Sequence, residues 1–73
     1  MISRQERASG TIKFFDHQRG YGFVQTADEH ELFMHVTDFV SDDEPHEGDR
    51  VSFVERTGRD GKPRAISVMP AAI

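Results

Sequence analysis

Cysteine is missing from all 73 residues, so neither a disulfide framework nor a thiolate metal site can be built. That absence fits a reducing compartment, and the protein is expected to be cytoplasmic. No apolar run approaches membrane-spanning length, and the N-terminus Met1-Ile2-Ser3-Arg4-Gln5-Glu6-Arg7 lacks the apolar centre of a signal peptide. No membrane partner is expected. Helical periodicity is also missing; strand-like runs separated by turn residues take its place. Positive charge is absent from the most acidic stretch. Residues 28–49 carry nine acids and no Lys or Arg, whereas the rest of the chain holds all nine basic residues and four acids. A chain with a net charge of −4 therefore has flanks at +5, which allows a positive surface on an acidic molecule.

What is present has to serve more than one purpose. With 36% hydrophobic residues, the chain can build one small domain near the lower limit for a self-sufficient core. Its seven aromatics, six of them Phe, must supply both core and surface. Two motifs show how they are divided. Arg19-Gly20-Tyr21-Gly22-Phe23-Val24 fits the basic-Gly-aromatic-Gly-Phe-Val signature of RNA-binding sheets, with Thr26 in place of the final aromatic. Leu32-Phe33-Met34-His35 repeats the spacing. Alternate residues of a strand share a face, so Tyr21 and Phe23 point one way and Phe33 and His35 extend the row on a neighbouring strand. Gly20 and Gly22 are expected to leave open surface beside the rings. Exposed aromatics next to cations suit single-stranded nucleic acid, because every base has a stackable face.

The runs at 10–16, 21–26, 31–36, 50–56 and 63–69 read as five strands. A polar turn follows Asp16, a tight acidic turn spans 27–30, and Pro45 and Gly48 break a longer loop over 41–48. A Gly58-Arg59-Asp60-Gly61 turn precedes the last strand. Five short strands suggest an all-β, five-stranded antiparallel barrel, with Ile12, Val24, Leu32, Val51, Phe53, Ile66 and Val68 as core. A βαββαβ RNA-recognition domain would need two amphipathic helices that the chain does not contain. The domain is expected over 9–69, with tails at 1–8 and 70–73. There are no repeats, linkers or low-complexity segments.

Five blocks together resemble the bacterial cold-shock proteins, single-domain members of the five-stranded oligonucleotide-binding fold. They are Gly10-Thr-Ile-Lys-Phe-Phe15, Arg19 to Val24, Leu32 to His35, Glu47-Gly-Asp-Arg-Val-Ser-Phe53 and Pro63-Arg-Ala-Ile-Ser-Val68. The resemblance covers roughly Ser9 to Met69 and implies stacking roles for Tyr21, Phe23 and Phe33. His35 continues the same face and can stack on a base or donate to a phosphate or base edge. Phe14 stands where the family usually has Trp, preceded by Lys13. For Lys13 and Phe14 both to reach ligand, a bulge or strong twist is needed. Phe15 is a further candidate contact. Arg19 at the mouth of the turn is placed for a phosphate, and Arg59, Lys62 and Arg64 cluster near the last turn. Asp16 falls where the family often has Asn and, ionised, can only accept. Two departures stand out. Val36 follows His35 where the family commonly has an aromatic, and the loop Ser41 to His46 is short, acidic and ring-free. Phe39 aligns with an apolar core position.

The resulting expectation is a non-enzymatic, weakly sequence-selective binder of single-stranded RNA and DNA. By resemblance it is an RNA chaperone that acts on transcription or translation in cold or other stress. The alternative is a protein-interaction module docking through the acidic 28–49 region. No nucleophile–base pair is visible, and Gly20-Tyr21-Gly22 is not a phosphate loop, since no helix follows it. No catalytic residue, cofactor or small-molecule substrate is expected. Nor is a metal, because His17, His30 and His46 lie in separate predicted turns and leave His35 without partners.

Overall fold

The computed structural model describes residues 7–71, whose strands are β1 (Ala8–Asp16), β2 (Tyr21–Thr26), β3 (Glu31–His35), β4 (Arg50–Thr57) and β5 (Pro63–Pro70). They close into a barrel in the order β1-β2-β3-β5-β4. All neighbours are antiparallel except β3 and β5, which run parallel and pair Phe33 with Arg64. This is the five-stranded, mainly antiparallel barrel that the strand pattern predicts, with one parallel pair. A ring with an odd number of strands cannot alternate direction all the way round, so one parallel seam is forced. Ala8 and Pro70 both belong to strands, one residue beyond each expected domain edge, and Arg7 donates from Nη2 to the Ser67 carbonyl at 2.6 Å. The rest of the expected tails, 1–6 and 72–73, lies outside the described residues.

Alternation along the strands accounts for most of the core. Ile12, Val24, Leu32, Met34, Val51, Phe53 and Val68 are fully buried, and Ala8 and Phe39 pack against them. Val54 is buried beside Phe53 in β4, and two bulges account for Phe15 and Ala65. In β1 the register passes from Ile12 opposite Val24 to Phe14 opposite Phe23, leaving Lys13 as the extra residue. The bulge anticipated at this point shifts the alternation, so that Ile12 and Phe15 both face inward while Lys13 and Phe14 face out. In β5 the register passes from Val54 opposite Ile66 to Ser52 opposite Met69. The extra residue is Ser67, in the left-handed region at φ 51°. Ala65 therefore joins Val68 in the core, and Ile66, expected inside, turns half outward.

The third connection begins with one turn of 3-10 helix, Val36–Asp38, so β3 stops at His35 rather than Val36. Phe39 then bridges to Val68, and Pro45 is buried farther along the loop. No helix among the described residues is long and apolar enough to cross a membrane.

Candidate nucleic-acid interface

The ring cluster is set by strand register. Phe23 pairs across β2–β3 with Phe33 and Tyr21 with His35, while the β1 bulge brings Phe14 opposite Phe23. Tyr21 and Phe33 lie nearly parallel at 5.8 Å, and Phe23 meets both edge-on at 6.2 and 6.1 Å. Phe14 meets Tyr21 edge-on at 6.2 Å. Offset-stacked and edge-to-face arrangements are those the ring quadrupoles favour. The rings thus support one another, and Tyr21, Phe23 and Phe33 are half-buried, while Phe14 is 39% exposed.

Phe15 is a correction. It is 7% exposed and belongs to the core cluster, because the Lys13 bulge reverses the face on which it falls. Its ring is not available to a ligand on the outer surface. The role of Gly22 differs too. It faces inward, where a Cβ would stand 2.2 Å from the Phe14 carbonyl oxygen and 2.7 Å from Phe15 Cδ1. Its bareness admits the Phe15 ring rather than a base.

The cations are less available than their place in the sequence suggested. Lys13 Nζ pairs with Glu31 Oε2 at 2.6 Å. Arg64 Nη2 pairs with Asp38 Oδ2 at 2.9 Å while its guanidinium sits 5.7 Å from the centre of the Phe33 ring. Acids and bases that segregate along the chain meet in space, so two expected phosphate contacts carry a carboxylate partner already. Arg19 remains well exposed, with Nε 3.9 Å from Asp16 Oδ2. Asp16 Oδ1 accepts from the N–H groups of Gln18 and Arg19 at 3.0 and 3.1 Å. The Asp16 carboxylate is thus engaged in shaping the turn.

Beside Phe23 and Phe33 an open groove of about 670 Å³ is lined by Glu31 and the 58–64 turn, including Arg59, Lys62 and Arg64. The turn is held by Gly58 N donating to the Lys62 carbonyl at 2.8 Å and Lys62 N to Asp60 Oδ1 at 3.0 Å. His35 Nδ1 accepts from Thr37 N at 3.2 Å, which leaves Nε2 as the outward side of the ring. The structure thus gathers Lys13, Phe14, Tyr21, Phe23, Phe33, His35, Lys62 and Arg64 around one face, with Arg19 at the adjoining turn.

Thr26, which breaks the RNA-binding signature, organises the β2–β3 turn. Its hydroxyl donates to the Asp28 carboxylate and accepts from His30 N at 3.1 Å. That donation holds the exposed Asp28 carboxyl below the ordinary carboxylate range, helped to a smaller degree by its own backbone N–H and by His30.

Residues 8–71 match the model of the 'cold-shock' DNA-binding domain. Cold shock protein 1 of Lactiplantibacillus plantarum is 34% identical over 64 residues, covering 85% of this chain and 96% of that protein. The major cold shock protein CspA of Bacillus cereus is 32% identical over 63 residues, covering 84% and 92%. Glycine-rich protein 2 of Nicotiana sylvestris is 38% identical over 66 residues, which is 86% of this chain but 31% of that longer protein. Among solved structures, Drosophila Unr CSD456 superposes with a TM-score of 0.78 at 24% identity, over 93% of this chain and 28% of that one. The barrel order, the two sequence motifs on adjacent strands and the matched span agree: this chain belongs to the cold-shock domain family.

Proposed function

We propose that the protein binds single-stranded RNA and DNA with weak sequence selectivity and acts as an RNA chaperone in a cold-shock-type response. The observation that carries this reading is the row of rings, Phe14, Tyr21, Phe23 and Phe33, spread across three adjacent strands and open on one side. Bases stack on these rings, and the groove beside Phe33 guides the phosphates past Arg59 and Lys62. Arg64, paired with Asp38 and lying over Phe33, holds the groove's inner wall. Stacking is worth about 1–3 kcal/mol per base. A duplex step is worth about 1.4 kcal/mol on average, so several stacked bases compete with a weak hairpin without ATP.

Fluorescence anisotropy with labelled oligo-dT and with a duplex of equal length tests the reading. Saturable binding of the single strand, weakened by Phe33→Ala and at least tenfold poorer for the duplex, is the expected result. Equal binding of both nucleic acids, or affinity untouched by Phe33→Ala, would reject it. A hairpin beacon opened by the protein at fixed temperature tests the chaperone activity separately.

A further inference from the structure

We propose that the β1–β2 turn and the β3–β4 loop together form a binding site for a divalent transition-metal ion of the zinc type, held by His17, His46 and Glu44. In the sequence the two histidines lie in separate turns with no metal-ligand spacing. The barrel brings those turns together, and one ligand atom from each of the three side chains lies within 4.8 Å of the others. Bonds of about 2.0–2.1 Å in tetrahedral geometry put zinc ligands roughly 3.3 Å apart. The gap is small enough for rotation of exposed side chains to close it.

The cluster is held from behind. The edge of the buried Phe15 ring packs on His17, with ring centres 5.0 Å apart. Pro45 is buried and presents its carbonyl 2.9 Å from His17 Nε2, while Glu44 Oε1 stands 3.7 Å from the same nitrogen. Zinc on Nε2 would displace the Pro45 contact, because a 2.9 Å gap cannot hold two bonds of about 2.0 Å in line, and the Pro45 oxygen would serve as a fourth donor from beside the nitrogen–metal bond. His46 is fixed by Asp49, whose Oδ2 accepts from His46 N at 3.0 Å and lies 4.0 Å from Nδ1. At 4.0 Å that carboxylate is close to the imidazole without a hydrogen bond, and a small closure would make the carboxylate–imidazole pair common behind metal-bound histidines. The donor set of two imidazoles and two oxygens suits zinc, copper or nickel and is poor for magnesium. The Glu44 and Asp49 carboxylates beside the two imidazoles also favour a dication.

Titration of the tag-free chain with zinc chloride, read by calorimetry and thermal melting, decides the matter. The expected result is one zinc per chain and a melting temperature raised by about 10 °C at a hundredfold excess over Kd, with no shift from magnesium. His17→Gln and His46→Gln should each weaken binding by about a hundredfold, and Asp49→Asn by about tenfold. His30→Gln, in the β2–β3 turn, should leave it unchanged. Ring-proton NMR of the unaltered chain is independent of any variant's folding: zinc should move the His17 and His46 signals and leave His30 and His35 in place. Absence of saturable binding below about 1 mM zinc, retention of affinity in the His17→Gln/His46→Gln double variant, or shifts confined to His30 or His35 would overturn the proposal.

Discussion

Phe33 faces three partners: Tyr21 stacked on one side, Phe23 edge-on, and the Arg64 guanidinium over its ring. Truncating it therefore removes packing as well as a stacking surface. Phe33→Ala is expected to weaken oligonucleotide binding by about 1–3 kcal/mol. It should also cost about 1–2 kcal/mol of stability, since the ring is half-buried. Phe53, with no exposed surface, should show the opposite division. Phe53→Ala is expected to cost roughly 3–5 kcal/mol and to leave little folded protein to bind anything, as chemical denaturation would show. Which aromatics point outward was legible for Tyr21, Phe23 and Phe33, because plain alternation governs β2 and β3. It misled at Phe15, because the bulge that turns Lys13 and Phe14 outward also carries Phe15 to the inner face. A gentler test lies at Thr26. Thr26→Val removes the hydroxyl donor to Asp28, so the Asp28 carboxyl should titrate at higher pH by carbon-detected NMR. The sign follows from the lowered native value. Asp28's contribution to stability is present above its unfolded value and is lost as pH falls through the folded one, and the variant should lack that acid-side loss.

At the scale of strands and turns, irregular backbone carries the residues that periodicity could not place. At Lys13 and Phe14 the family resemblance calls for a bulge or strong twist, since it puts two neighbouring side chains on one surface, and Lys13 is the bulged residue. Ser67 gave no such sign, and Ile66 was misplaced in consequence. Glu29 holds a comparable position in the β2–β3 turn, at φ 70°, with its N–H donating to the Thr26 carbonyl at 2.9 Å. A side chain there pays for left-handed backbone that glycine adopts freely. Glu29→Gly is expected to stabilise the fold by about 0.5–1 kcal/mol in urea melts, after allowing for glycine's greater freedom when unfolded. On the next strand, Glu31 occupies Lys13. Glu31→Gln should free the lysine for a phosphate and tighten single-strand binding several-fold at low salt, with the gain shrinking as salt rises. An unchanged affinity at low salt would mean that no phosphate reaches Lys13. These pairings could not be read from the sequence, where acids and bases occupy different stretches and only closure of the barrel brings them together.

For the molecule as a whole, charge is expected to be a minor partner in binding. Lys13 and Arg64 are already paired with carboxylates, so few counterions should be released if a strand docks on this face. The dependence of log affinity on log salt should have a slope of about −1 to −3, and a slope steeper than about −5 would mean that phosphates rather than rings dominate. The number of strands, their places along the chain and the family motifs were legible from the sequence, since each depends on local pattern. The parallel seam is a property of closure. Phe33 and Arg64 are the paired residues of that seam, and both also line the groove. The stave at which the barrel is joined is thus the one a ligand would grip, and an oligonucleotide lying there would act as a hoop. Backbone amides flanking Phe33 and Arg64 should open at low cost in the free protein and exchange far more slowly with deuterium once a strand is bound. Occupancy and the integrity of the closed barrel would then be one equilibrium, measured from two ends.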